Sequence, residues 1–171
     1  MYLSPISEPP PRSKVETIIG WREWLSLPDL NVAQIKAKVD TGARSSALHA
    51  FDIEYFNQDD CSMVHFKMHP LQRNTSFTVE ATAAVLGKRP VRNSGGQTQD
   101  RPVIRTLVCL GGQQWPIELT LTNRDVMGFR MLLGREAIRH RFLVDSGDSY
   151  FLSPSDPFAR RNAAIDLPNL S

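Results

Sequence analysis

Between residues 115 and 122 the apolar side chains Trp115, Ile117, Leu119 and Leu121 fall on every second position, a period that places them together only on one face of a pleated strand. Ile35-Lys36-Ala37-Lys38-Val39 repeats the pattern, with lysines on the opposite face. Further β-prone runs cover residues 17–25, 63–68, 76–81 and 103–110. Gly111-Gly112, between the last of these and Trp115, is a hairpin signal. The one helix signal follows Gly134, where residues 135–141 carry strong helix formers for about two turns. The chain is therefore expected to be all-β with one short helix. Its 171 residues, 41% of them hydrophobic, can bury one sizeable core and are too few for two full domains.

Residues 1–14, rich in proline and serine without periodic apolar positions, are expected to form a disordered N-terminal arm. The folded domain is expected over residues 15–152, and residues 153–171, with Pro154, Pro157 and Pro168, as a C-terminal arm. A net charge of only +2 and the lack of a strongly basic tract argue against nucleic acid and membrane surfaces as partners. No export signal opens the sequence, and no apolar run is long enough to cross a bilayer. Cys61 and Cys109 are isolated, which suits a reducing compartment, so a cytoplasmic location is expected.

Asp40-Thr41-Gly42-Ala43 follows directly on the strand pattern ending at Val39. A carboxylate at a strand end, beside a glycine that permits close backbone approach and a threonine that can hydrogen-bond sideways, is the arrangement aspartic peptidases use. The motif alone is weak, since Asp-Thr-Gly also closes ordinary turns. Met131-Leu132-Leu133-Gly134-Arg135-Glu136-Ala137-Ile138 supplies a second element: an apolar strand ending in glycine and running into a short helix, which resembles the one retropepsin-like folds set beside the catalytic loop. Between the two lies the glycine-tipped stretch 88–96, a candidate for the hairpin flap that closes over substrate.

The string Val39-Asp40-Thr41-Gly42-Ala43-Arg44-Ser45-Ser46-Ala47-Leu48-His49-Ala50, the run Arg101-Pro102-Val103-Ile104, and Ile117-Glu118-Leu119-Thr120-Leu121-Thr122-Asn123-Arg124 followed by Met131-Leu132-Leu133-Gly134-Arg135 resemble a bacterial retropepsin-like family. That family was formerly labelled as ATP-dependent zinc proteases. It is often associated with ATP-grasp ligases that add glutamate tails to a small-subunit ribosomal protein. The resemblance covers about residues 15–152 and implies a single-lobe acid protease barrel with a functional link to such a ligase. The older label does not suit the residues. His65 and His69 bracket a strand pattern that separates them by about 13 Å, no His-Glu-x-x-His helix is present, and no glycine-rich phosphate loop supports ATP. No metal and no cofactor are expected.

Aspartic peptidases use two facing carboxylates that share one proton, because like charges about 3 Å apart cannot both ionise. Asp145-Ser146-Gly147 mimics the first motif, but only 24 residues follow Gly147, too few for a second lobe, so a structural turn is the better reading. The second carboxylate is then expected from Asp40 of another copy in a homodimer. Asp40, Thr41 and Gly42 are the expected catalytic residues, and Ala43, Arg44, Arg92, Ser94, Gly95 and Gly96 the expected substrate-binding ones. For Arg44 an ion pair with Glu136 is an equal alternative, and Arg135 is expected to brace the catalytic loop. Residues 88–105 hold Lys88, Arg89, Arg92, Arg101 and Arg105 against Asp100 alone, a local balance of +4. An acidic peptide, and in view of the resemblance a glutamate-rich tail, is therefore the expected substrate. The competing reading is an inactive binding or adaptor module on the same fold.

Overall fold

The computed structural model describes residues 17–92, 95–123 and 128–153. The expected strand over 17–25 is divided at Trp21. β1 (Ile18–Gly20) pairs in parallel with β11 (Leu143–Asp145), whereas β2 (Arg22–Leu27) turns to pair antiparallel with β3 (Val32–Asp40). Packing explains the change of partner. Trp21 donates its N–H to Asp148 O at 2.9 Å, and a Cβ on Gly20 would meet that same oxygen at 2.5 Å, so only glycine fits there. A single 3-10 turn at Pro28–Leu30 reverses the chain between β2 and β3.

Nine strands form one sheet in the order β2-β3-β10-β4-β9-β8-β7-β6-β5. Here β4 is Ser46–His49, β5 Phe51–Gln58, β6 Cys61–Met68, β7 Val79–Arg92, β8 Thr98–Leu110, β9 Gln113–Thr122 and β10 Met131–Gly134. The sheet returns on itself where Ser26 of β2 pairs with Cys109 of β8, closing a barrel from which β7, β6 and β5 extend. Period-two positions fill the interior as expected: Ile35, Ala37 and Val39 from β3, Ile117, Leu119 and Leu121 from β9, and Met131 and Leu133 from β10 are all buried. Gly111 (φ 57°) and Gly112 (φ 78°) make the two-residue turn between β8 and β9, a geometry that right-twisted strands require and side chains resist.

Residues 88–92 of the stretch 88–96 lie on β7, which pairs with β8 in a register running from Val85↔Ile104 to Arg92↔Thr98, and residues 93 and 94 lie outside the described residues. The helix is shorter than its sequence suggests. α1 covers Arg135–Ile138, because Arg139 leaves helical geometry (ψ 139°) and His140 takes a left-handed φ of 64°. No described helix is long and apolar enough to cross a membrane. The expected N-terminal arm and the C-terminal arm beyond Ser153 lie outside the described residues.

Candidate active site

Asp40 ends β3, half-buried, and its neighbours Thr41 and Gly42 are exposed. Two backbone donors converge on one carboxylate oxygen: Gly42 N–H at 3.1 Å and Ala43 N–H at 3.0 Å from Asp40 Oδ1. Hydrogen bonds of this kind orient the carboxylate. Gly42 suits the turn because a Cβ there would stand 3.3 Å from the same oxygen.

β10 lies beside this loop in parallel register with β3, Leu133 opposite Val39 and Gly134 opposite Asp40. From there residues 134–136 grip the loop. Gly134 N–H donates to Ser46 Oγ at 3.0 Å, Arg135 N–H to Ala43 O at 2.9 Å and Glu136 N–H to Arg44 O at 3.1 Å. The Arg135 guanidinium adds a bond to Gly42 O at 3.3 Å, the brace expected of it. Trp115 fixes the other side of α1 by donating its indole N–H to Ala137 O at 3.0 Å. The two motifs read from the sequence are thus one hydrogen-bonded unit.

Arg44 makes the ion pair foreseen as its alternative role, Nε to Glu136 Oε1 at 3.7 Å. It also lines a groove of about 420 Å³ with Ser45, Ser46, Arg89, Arg105, Pro116, Ile117, Glu118, Glu136 and Ala137. Arg89 reaches Glu118 at 3.0 Å. Asp40 does not line this groove. Arg92, Gly95 and Gly96 sit at the hairpin tip and do not line it either, and Ser94 lies outside the described residues. Sequence reasoning missed Ser45, Ser46 and Glu118 as groove residues. Glu118 had a signal, since it is the outward charge between inward Ile117 and Leu119 on β9, but nothing in the sequence set it beside Arg89 of β7. Asp145-Ser146-Gly147 is a turn, with Gly147 N–H donating to Asp145 Oδ1 at 2.7 Å. Among the described residues no three His, Cys, Asp or Glu side chains group as metal ligands.

A closed β-barrel with an Asp-Thr-Gly loop gripped by a glycine-ended strand and helical turn defines a retropepsin-like protein of the single-lobe kind. The family model described as RimB-like, the retropepsin-like aspartic endopeptidase RimB, matches residues 18–154, and the chain belongs to that family. A protein of Parasynechococcus marenigrum named as a probable alpha-L-glutamate ligase is 52% identical over 135 residues, covering 79% of this chain and 29% of that protein. One of the same name from Shewanella pealeana is 44% identical over 135 residues, 79% of this chain and 30% of that protein. The chain thus spans less than a third of the curated relatives it matches. A crystal structure of a Legionella pneumophila protein described as of unknown function superposes with a TM-score of 0.69 at 27% identity, covering 81% of this chain and 99% of that one.

Proposed function

We propose that the chain is an aspartic endopeptidase acting as a homodimer in which each copy contributes Asp40. The observation that carries this reading is the Asp40 carboxylate at the end of β3, held by the N–H groups of Gly42 and Ala43 beside Gly134. Two such carboxylates meeting across a two-fold axis would share one proton. The ionised one takes a proton from a water, whose oxygen attacks the scissile carbonyl carbon. The protonated one gives its proton to the carbonyl oxygen, and collapse of the tetrahedral intermediate with proton transfer to the nitrogen expels the amine. Thr41 and Gly42 complete the loop, with the β7–β8 hairpin as the flap.

Acidic peptides are the proposed substrate class, because Arg44, Arg89 and Arg105 face one groove next to the Asp40 loop. The glutamate-ligase name of the longer relatives supports a glutamate-rich tail as the substrate and a functional link to such a ligase. Free Cys61 and Cys109 support a reducing, cytoplasmic setting.

The test compares cleavage of a glutamate-tailed peptide and its glutamine-tailed counterpart by wild type, Asp40→Asn and Arg44→Ala. Wild type is expected to cleave the first faster, Asp40→Asn neither, and Arg44→Ala to lose the preference. Full activity in Asp40→Asn would overturn the peptidase reading. Binding of a statine-type inhibitor that requires Asp40 separates an enzyme from an adaptor module on the same fold.

A further inference from the structure

The groove beside the Asp40 loop carries its own carboxylates, and its three arginines are engaged to different degrees. Arg89 Nη2 is hydrogen-bonded to Glu118 Oε2 at 3.0 Å. Arg44 is held loosely, through Nε at 3.7 Å from Glu136 Oε1, well beyond the roughly 2.7–2.9 Å of a charge-assisted hydrogen bond. Glu136 is closer to Arg139, at 3.0 Å, than to Arg44. Arg105 stands directly across the β8–β9 ladder from Glu118, yet that carboxylate is turned to Arg89, and Arg105 makes no ion pair among the described residues.

We propose that Glu118 and Glu136 are specificity-determining residues, internal carboxylates that occupy two of the groove's three arginines so that an acidic ligand binds in proportion to the number of carboxylates it brings. This rests on the acidic-peptide reading above. A first ligand carboxylate meets Arg105 without a competitor. A second must displace Glu136 from Arg44, and a third Glu118 from Arg89. These pairs are exposed enough to exchange, with 79% and 39% of the side-chain surface accessible for Arg44 and Glu136, and 40% and 54% for Arg89 and Glu118. Exposed pairs of this kind are weak, so a ligand carboxylate in bidentate geometry can replace them. A neutral peptide, by contrast, leaves both internal pairs in place and gains nothing from the arginines, and a singly charged one gains the Arg105 contact alone.

The experiment measures binding rather than turnover. Labelled peptides ending in one, two or three glutamates, and glutamine-ended peptides of equal length, are titrated by fluorescence anisotropy against the full chain carrying Asp40→Asn. The same titrations are run with Glu118→Gln, Glu136→Gln or Asp60→Asn added. Asp60 is exposed at the β5–β6 turn, so Asp60→Asn makes the same charge change away from the groove. Glu118→Gln and Glu136→Gln are each expected to widen the glutamine-to-glutamate Kd ratio about two- to five-fold for peptides with two or three glutamates and to steepen its dependence on glutamate number. Asp60→Asn is expected to do neither. If the parent prefers glutamate but the two groove variants leave the ratio unchanged, or Asp60→Asn widens it equally, Glu118 and Glu136 are not specificity residues and only this inference falls. A parent that binds both peptide types alike defeats the acidic-peptide reading itself, and the inference with it.

Discussion

A methyl group on Gly134 would stand 2.5 Å from the carbonyl carbon of Ser45 and 2.9 Å from Arg44 O, both backbone atoms of the loop that follows Asp40. Gly134 has an ordinary extended conformation (φ −78°, ψ 166°), so close approach, not backbone freedom, requires glycine here. Gly134→Ala is expected to cost about 1–3 kcal/mol by overpacking and to lower kcat more than it lowers stability at assay temperature, checked by urea unfolding and steady-state kinetics. Ala43 is a second sensitive position. Its N–H already donates to Asp40 Oδ1, and a hydroxyl on the same residue adds a donor that favours the ionised carboxylate. Ala43→Ser is therefore expected to move the acidic limb of the pH–rate profile to lower pH, and an unchanged or upward shift would show that residue 43 does not sense the dyad. At this scale the sequence was informative where chemistry is local. Asp40, Gly42 and Gly134 could be read from two short strings, whereas the bond from Gly134 N–H to Ser46 Oγ spans 88 positions and had no signal.

Strands with regular alternation were legible, and those without it were not. β3 from Ile35 to Val39 and β9 from Trp115 to Leu119 bury every second residue, and both runs were read as strands, while β5 went unread. In β5, Asp52 takes a left-handed φ of 49°, the register shifts between Phe51 and Glu54, and Tyr55 and Phe56 are adjacent and both exposed, so no period of two survives. The division of β1 from β2 was hidden for another reason. It depends on residues 148–153, which run along β2 and are tied to it by Glu23. That carboxylate is fully buried and accepts from Gly20 N–H at 2.9 Å, Phe151 N–H at 2.8 Å and Ser153 Oγ–H at 2.6 Å. The same corner supports the Asp40 loop, because Trp21 O accepts from Val39 N–H at 2.8 Å, one residue before Asp40. Glu23→Gln removes the charge and sets an amide N–H₂ among donors, so it is expected to destabilise by about 1–3 kcal/mol and to lower activity with it. A denaturant midpoint equal to that of wild type would mean that the strap does not depend on the carboxylate.

Whether one chain suffices for catalysis depends on the path of the backbone after β11. If Asp145-Ser146-Gly147 opened a second lobe, the chain would hold both carboxylates, as two-lobed enzymes do. Instead Gly147 N–H folds back to Asp145 Oδ1, Tyr150 N–H is bonded to Arg22 O at 3.0 Å, and the chain as far as Ser153 is spent covering β2. Asp40 is then the one carboxylate presented on a loop of the retropepsin kind among the described residues. This path of the chain supports the proposed two-copy active unit, and Ile18 and Leu143, register partners on β1 and β11, are both exposed apolar residues. Two consequences can be measured. Specific activity should fall on dilution through the range in which sedimentation shows dissociation, because each half-site alone lacks a partner acid. Mixing wild type with an equal amount of Asp40→Asn and allowing subunits to exchange should reduce total activity to about half, since random pairing converts half of the wild-type chains into mixed dimers with a single ionisable Asp40. Activity that is independent of concentration, together with no loss on mixing, would mean that a single chain carries the complete site and that its second acid lies elsewhere in the sequence.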